Sequence, residues 1–397
     1  MNADIYLQAM GALSALGQSD AQMRAALFAP TLPDTLQCTT QYTPEKSLPL
    51  GMLAPGLVLP TLEAVPARWR SRNNALAWAA ASVIRPQIEQ AKERYGPHRV
   101  GLILGTSTAG VQEGERAAQL WQAQGRFPEG FDYALQEMGN VADFLAHALQ
   151  ITGPAQVIST ACSSGAKALA SAARWLQAGL VDVVIAGGVD ALCSFTVAGF
   201  GALESVSAQR CNPLSRHRNG INLGEAGALF VVGREAGPVR LAGWGESQDA
   251  HHMSAPEPSG RGAMVAMAQS LQRAGIGCDA IDYINLHGTA TPHNDAMESL
   301  AVYGMFGDKV PVSSTKPLTG HALAAAGALE AAIAWQVLVD NPRGLLPVHW
   351  WDGEADPCLP RLQPVSAQQM LGRPPQYVLS NSFAFGGSNA ALVLAAA

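Results

Sequence analysis

The sequence predicts an α/β fold made of two similar halves, and three observations carry that prediction. An apolar run at residues 155–158 is followed by Ser159-Thr-Ala-Cys-Ser-Ser-Gly165, an Ala-rich helical segment to Gly179, and a buried-strand pattern at 181–189. A second unit repeats that order: a short strand at 312–314, then Thr315-Lys316-Pro-Leu-Thr-Gly320-His321, then an Ala-rich helical segment to Leu338. Only 14% of the 397 residues are charged, 48% are hydrophobic, and Gly (40) and Ala are abundant, a composition suited to helices packed closely on sheets.

Taken in order, residues 5–7 read as a short strand, 11–17 as a turn-rich connection and 21–28 as a helix. Residues 30–66 are Pro-rich without periodicity and read as a long surface excursion. Arg68, Arg70 and Arg72 then precede a helix over 74–94. Residues 99–104 form a strand ending in the Gly/Ser/Thr loop 105–110, which lacks the spacing of a phosphate-binding loop. After the first Ala-rich unit come a polar loop at 210–220 and a strand at 228–232, and the break at 233–238 is the best internal boundary. It divides the chain into halves 1–236 and 237–397. The second half offers strands at 239–245, 283–286, 377–379 and 390–394 and a helix at 264–274.

Composition excludes several classes. A net charge of -6 argues against nucleic-acid binding by the chain as a whole. Six irregularly spaced cysteines give neither a metal pattern nor a disulfide framework, so a cytoplasmic location is expected. The acidic start, Met1-Asn-Ala-Asp, lacks the basic region of a signal peptide. The longest apolar stretch, 322–339, contains Glu330 and Gln336 and reads as a buried core helix, with no membrane span.

Cys162 is the candidate nucleophile. It lies where a strand turns into a helix, and the unpaired N–H groups and dipole of a helix start favour thiolate over thiol. A lone cysteine is usually a small buried hydrophobe, the reading given to Cys38, Cys193, Cys211, Cys278 and Cys358. His287 in HGTATP and His321 in GHALAAAG follow strands in Gly/Thr-rich loops. One reactive Cys with two such His suggests nucleophilic catalysis assisted by imidazole. The remaining histidines read as structural or exposed.

At these residues the sequence resembles the β-ketoacyl-acyl carrier protein synthases of the elongating Cys-His-His type. The motifs are TACSSGAKAL, GFGALESVS, RNGINLGEAGA, DAHHMSAPEP, HGTATPHND, STKPLTGHALAAAG and NSFAFGGSNAALVL, in order along nearly the whole chain. The resemblance implies the thiolase fold, five layers α-β-α-β-α from two pseudo-symmetric halves. It implies decarboxylative condensation of a malonyl carrier protein with an acyl group held on Cys162. His287 and His321 would promote decarboxylation, and Lys316 and Glu298 would form a pair orienting them. Phe385 would gate the site and share an oxyanion hole with Cys162. Thr289 and Thr291 would bind the pantetheine arm, and Phe200, Phe383 and Ser254 would line the substrate pocket.

The same resemblance implies no metal or redox cofactor, the substrates riding on the phosphopantetheine of an acyl carrier protein. It implies a homodimer, or a heterodimer with a related ketosynthase or chain-length subunit. An acidic carrier protein would dock on a local basic patch: Arg68, Arg70 and Arg72, with Arg210, Arg216 and Arg218 as a second group. Glu204 stands where housekeeping synthases often carry an arginine. The Arg68–Arg72 stretch, the LES sequence and the short length resemble synthases of aryl-polyene-type pathways. Ala384 replaces a glycine of the gating loop, and Asn294 a glycine for which left-handed backbone is expected. A thiolase would need a second Cys near the C-terminus, a priming synthase an Asn in place of His321, and a non-catalytic chain-length partner no Cys162. A Cys-His hydrolase would leave Lys316 and His321 unexplained.

Overall fold

The computed structural model describes residues 4–397. The reading of the N-terminus as lacking a leader rests partly on residues 1–3, outside the described residues. The first strand, β1 (Tyr6–Leu13), is longer than expected because it pairs along its whole length with a later strand. α1 (Asp20–Leu27) is closed by a capping box between Ser19 and Gln22. The Pro-rich excursion holds a small hairpin, β2 (Gln37–Thr39) with β3 (Leu48–Leu50), whose Leu48 and Leu50 are buried. The helix expected over 74–94 is two helices, α2 (Arg72–Val83) and α3 (Arg85–Tyr95). Pro86 cannot donate to the helix ladder and its ring would meet the carbonyl a turn earlier, so the helix restarts there.

β4 (Val100–Gly105), α4 (Val111–Gln124), α5 (Asn140–Leu149), β5 (Ala155–Ile158), α6 (Ser164–Gln177), β6 (Val183–Asp190), α7 (Ser194–Ala202) and β7 (Ala226–Gly233) complete the first half. The second contains β8 (Val239–Gln248), α8 (Arg261–Ala274), β9 (Tyr283–Asn285), α9 (Pro292–Phe306), β10 (Pro311–Ser313), the short α10 (Lys316–Thr319), α11 (Ala326–Leu338), β11 (Gln363–Pro364), β12 (Tyr377–Phe383) and β13 (Ser388–Ala396).

The two halves have the same strand pattern. In the first, β5 and β6 run parallel to β4, and β6, β7 and β1 pair antiparallel in turn. In the second, β10 and β12 run parallel to β9, and β12, β13 and β8 pair antiparallel in turn. β1 and β8 meet at Tyr6–Arg240 and Leu7–Val239, which joins the halves into one 11-stranded sheet. The sheet folds over on itself, with α6 and α11 inside; each touches strands of both halves. α2 and α5 cover the outer face of the first half and α8, backed by α9, that of the second. These are five layers, α-β-α-β-α, as the resemblance implied.

The Ala-rich composition now has its reason. α6 and α11 pack against each other as well as against two sheets, so every described residue of α11 is buried. Gly165 lets them meet: a Cβ there would lie 2.8 Å from the Ala328 nitrogen. Among the described residues no helix is long and apolar enough to cross a membrane.

Candidate active site

Cys162 sits on a sharp turn rather than on the helix. Ala161 before it has φ of +51°, and α6 begins two residues later behind Ser163. Small residues surround the turn, and Ser164 Oγ accepts from the Thr160 N–H (2.8 Å), closing it. His321 also differs from its expected place. It does not open the Ala-rich helix; a 3-10 turn at Leu323–Ala325 separates it from α11. Its backbone is held instead by the 222–224 segment. The His321 N–H donates to Asn222 O (2.6 Å), and the Gly224 N–H donates to His321 O (3.0 Å). His287 leaves the end of β9, where the backbone turns through Gly288 at φ +41°.

Tertiary folding brings the three together. Cys162 Sγ lies 2.8 Å from His321 Nε2. The two imidazole rings stand edge to face, 5.3 Å apart, and one donor atom from each of the three residues falls within 4.8 Å of the others. All three side chains are buried. The Phe385 backbone N–H lies near enough to the Cys162 sulfur to favour its thiolate. A cavity of about 270 Å³ opens on the group; Phe200, Phe383, Ser254, Thr289, Thr291, Phe385 and, at its exposed rim, Glu204 and His293 line it. The Thr289 and Thr291 hydroxyls share a hydrogen bond of 3.0 Å. A larger cavity, about 830 Å³ beside Leu214, Trp351 and Pro360, contains no nucleophile with a base beside it.

The electrostatics overturn one expectation. Burial pushes the Cys162 thiol up to about 12, against the opposing pulls of the Lys316 ammonium and the Phe385 N–H. The helix start does not compensate for that desolvation, so the resting group is a thiol. Its base is at hand in His321. Burial, reinforced by the Lys316 charge, holds both imidazoles well below 6.5, so both are neutral at pH 7. Neither Nδ1 has a protein hydrogen-bond partner among the described residues. Three such donor atoms could hold a soft divalent ion, but the neighbouring ammonium of Lys316 opposes a second cation.

A second expectation also fails. Lys316 does not pair with Glu298; its Nζ meets Glu330 Oε1 at 2.5 Å, both groups buried. Glu298 instead accepts the backbone N–H groups of His287 (2.8 Å) and Gly288 (2.7 Å), fixing the loop that carries His287. Burial raises its carboxyl to about 7 in spite of those donors. Glu330 was visible in the sequence as one acid in an apolar helix, yet nothing there pointed to Lys316. Asp190 is a further buried acid, absent from the sequence reading. It gathers the Thr106, Ser107 and Thr108 hydroxyls and the Ala324 N–H (2.7 Å), tying the 105–110 loop to the segment after His321.

The departures from the family pattern are mild. Ala384 has φ of −93° and ψ of 157°, extended backbone that any residue adopts. Asn294 lies inside α9, not in left-handed backbone, and its amide reaches Asp295 (3.3 Å).

The proposed docking arginines are largely committed within the chain. Arg72 forms a two-pronged pair with the buried Glu225 (2.8 and 2.5 Å), which braces the 222–225 segment behind His321. Arg70 donates to Val65 O and Glu63 O (both 2.8 Å), Arg210 to Pro317 O, and Arg218 pairs with Asp356 (2.5 Å). Arg72, Arg210 and Arg218 are therefore structural ties, because a guanidinium already paired gains little from a new anion. Arg68, stacked over Trp69, and Arg216 are exposed.

Comparisons with known proteins agree with this geometry. The "Beta-ketoacyl synthase, N-terminal domain" family matches residues 75–236, and the "Beta-ketoacyl synthase, C-terminal domain" family matches 239–342. The ketosynthase ApeO of Xenorhabdus doucetiae, solved in complex with its chain length factor ApeC, is 41% identical, with a TM-score of 0.92 over 100% of this chain and 98% of that one. The 3-oxoacyl-[acyl-carrier-protein] synthase 2 of Vibrio cholerae is 32% identical over 74% of this chain and 75% of its own. That of Coxiella burnetii is 38% identical over 62% of each, so the match spans less than two thirds of that relative. With both family domains in sequence, the same fold throughout and a Cys-His-His group at its centre, the chain belongs to the β-ketoacyl synthase family.

Proposed function

We propose that this protein extends an acyl chain by two carbons through decarboxylative condensation with a malonyl group carried on an acyl carrier protein. The observation that carries the reading is the contact between the Cys162 thiol and His321 Nε2, with His287 and the Phe385 N–H facing the same cavity.

The chemistry runs in two stages. In the first, His321 takes the Cys162 proton as sulfur attacks the acyl thioester. The carbonyl oxygen gains charge and is held by the N–H groups of Phe385 and Cys162. The proton then passes to the departing pantetheine thiolate, leaving the acyl group on Cys162. Such transfer suits a thiol whose own ionisation is suppressed by burial, because charge never has to persist on sulfur.

In the second stage malonyl thioester occupies the cavity. Its C–CO2 bond breaks, and the electron pair moves onto the thioester oxygen as an enolate. His287 and His321, both neutral, donate Nε2–H to that oxygen, His321 having first moved its single proton from Nδ1, where it sits while Nε2 acts as base, to Nε2. The enolate carbon attacks the acyl carbonyl on Cys162, the C–S bond breaks, and one proton restores the thiol. The reaction consumes one proton, releases CO2 and needs no metal or redox group to balance.

The partners are an acyl carrier protein and a second subunit, a related chain length factor. The 41% identity to a ketosynthase solved with its chain length factor supports the latter. The exposed edge strand β5 is the part of the sheet a second subunit would meet. The aryl-polyene resemblance of the Arg68–Arg72 stretch supports a polyene product. The test is condensation with acyl- and malonyl-carrier proteins, with and without a chain length factor of the same type. A product two carbons longer, with one CO2 released per product, supports the reading. A longer product without CO2 release would favour thiolase-type condensation, and no product with either subunit set would overturn the proposal.

A further inference from the structure

The turn that carries Phe385 is held to α6 by a chain of side chains outside the catalytic group. Lys167 Nζ donates to Ser388 Oγ (2.6 Å), and Ser388 Oγ lies 3.1 Å from Ser163 Oγ. Ser163, next to Cys162, also donates to Thr160 O (2.9 Å). One hydroxyl proton serves one acceptor at a time. The Ser163 proton is therefore shared between Thr160 O and Ser388 Oγ, and Lys167, which carries no acceptor, donates to the other lone pair of Ser388. Ser388 is buried and Lys167 half-buried.

The turn itself has little else to fix it on this side. Gly386 and Gly387 are both left-handed (φ +78° and +73°), and a Cβ at Gly386 would meet nothing within 4 Å. Its other anchors lead away from α6: Gly386 N–H to Met253 O (2.7 Å), Asp249 N–H to Gly387 O (2.9 Å), the Gln248 amide to Gly386 O, and the Phe385 ring against Phe200 of α7. In the resting enzyme the Phe385 N–H lies near enough to the Cys162 sulfur to favour its thiolate. That contact is surrendered when a substrate oxygen takes the N–H. From then on, Ser388 is what keeps the turn registered on α6.

We propose that Lys167 and Ser388 are positioning residues that lock the Phe385–Gly387 turn to the start of α6. They fix the separation of the Phe385 and Cys162 N–H groups during acyl transfer. The inference rests on the proposed role of Cys162 in acyl transfer. The residues touch no substrate; they act through the turn. Networks of this kind behave as units, so losing either end should loosen the whole.

The test is the rate at which a short acyl-pantetheine thioester acylates Cys162 in the full-length enzyme, followed by mass at several thioester concentrations. Ser388→Ala should lower the saturating rate about 10-fold or more, with little change in the half-saturating concentration, because donor placement acts on the transition state. Ser388→Thr, which keeps the hydroxyl, should restore it. Lys167→Met should reproduce the loss, and Lys167→Met combined with Ser388→Ala should be no slower than Ser388→Ala alone. Should Ser388→Ala fail to fold, the comparison of Lys167→Met with wild type decides in the same way. Wild-type rates in the single variants, or multiplicative losses in the pair, would overturn the latch while leaving Cys162 in place. Absence of acylation in the wild type would overturn the role of Cys162 and the latch with it.

Discussion

His287→Ala and His321→Ala each lower malonyl decarboxylation by about 10²-fold or more, the usual consequence of losing one donor to a developing oxyanion. The two variants differ in the first half-reaction. His321 Nε2 lies 2.8 Å from the Cys162 sulfur, so His321→Ala also slows acylation of Cys162. His287 makes no such contact, and His287→Ala acylates at close to the wild-type rate. Measuring CO2 release and acyl-Cys162 separately distinguishes these roles. The pH dependence has a definite sign. A depressed imidazole pKa keeps the donors neutral at pH 7, so the acid limb of the decarboxylation rate lies well below 6.5. Undiminished CO2 release in both variants would remove the histidines from this step.

Lys316→Met has the second large effect, on stability and on the pH profile together. It leaves Glu330 buried without its cation, and breaking a buried pair from one side costs about 3–5 kcal/mol. Burial already raises the Glu330 carboxyl, with Lys316 pulling it down; without the ammonium it rises further and takes a proton. A carboxyl raised in the folded state loses stability as pH climbs above its ordinary value of 4.5. The deficit of Lys316→Met is therefore smallest in acid and grows toward neutral pH. Lys316→Met/Glu330→Leu should recover most of it, as urea unfolding at two pH values would show. The histidines respond too. Removing a nearby positive charge stabilises imidazolium, so the acid limb of the rate moves up toward 6.5, though burial, the larger cause, keeps it below. Wild-type stability in Lys316→Met would contradict the ion pair.

Much of this site was legible because its signals are local in sequence. TACSSG, HGTATP and GHALAAAG each place one reactive group in a turn of small residues, and two strand–turn–helix units implied the paired halves. What could not be read was tertiary. Lys316 and Glu330 lie 14 residues apart on different helices, and their pairing depends on how α10 and α11 are folded back. The thiol of Cys162 was expected to be acidic because a helix start is visible in sequence and depth of burial is not. Arg72 looked like one of three surface cations, and only the fold shows the buried carboxylate of Glu225 opposite it. β1, β8 and β12 extend beyond their apolar cores because their neighbours pair with them there, which no single segment encodes.

The central claim is that Cys162 carries the growing chain between two half-reactions. The most direct measurement mixes the enzyme first with an acyl-carrier protein and then with a malonyl-carrier protein, following the mass of the Cys162 peptide, CO2 and the extended product in time. The account predicts that one acyl group appears on Cys162 and on no other cysteine. On adding malonyl-carrier protein, it leaves at the rate at which product and CO2 appear, one for one. Product formed while Cys162 stays unacylated, or an acyl group carried on another residue, would contradict it.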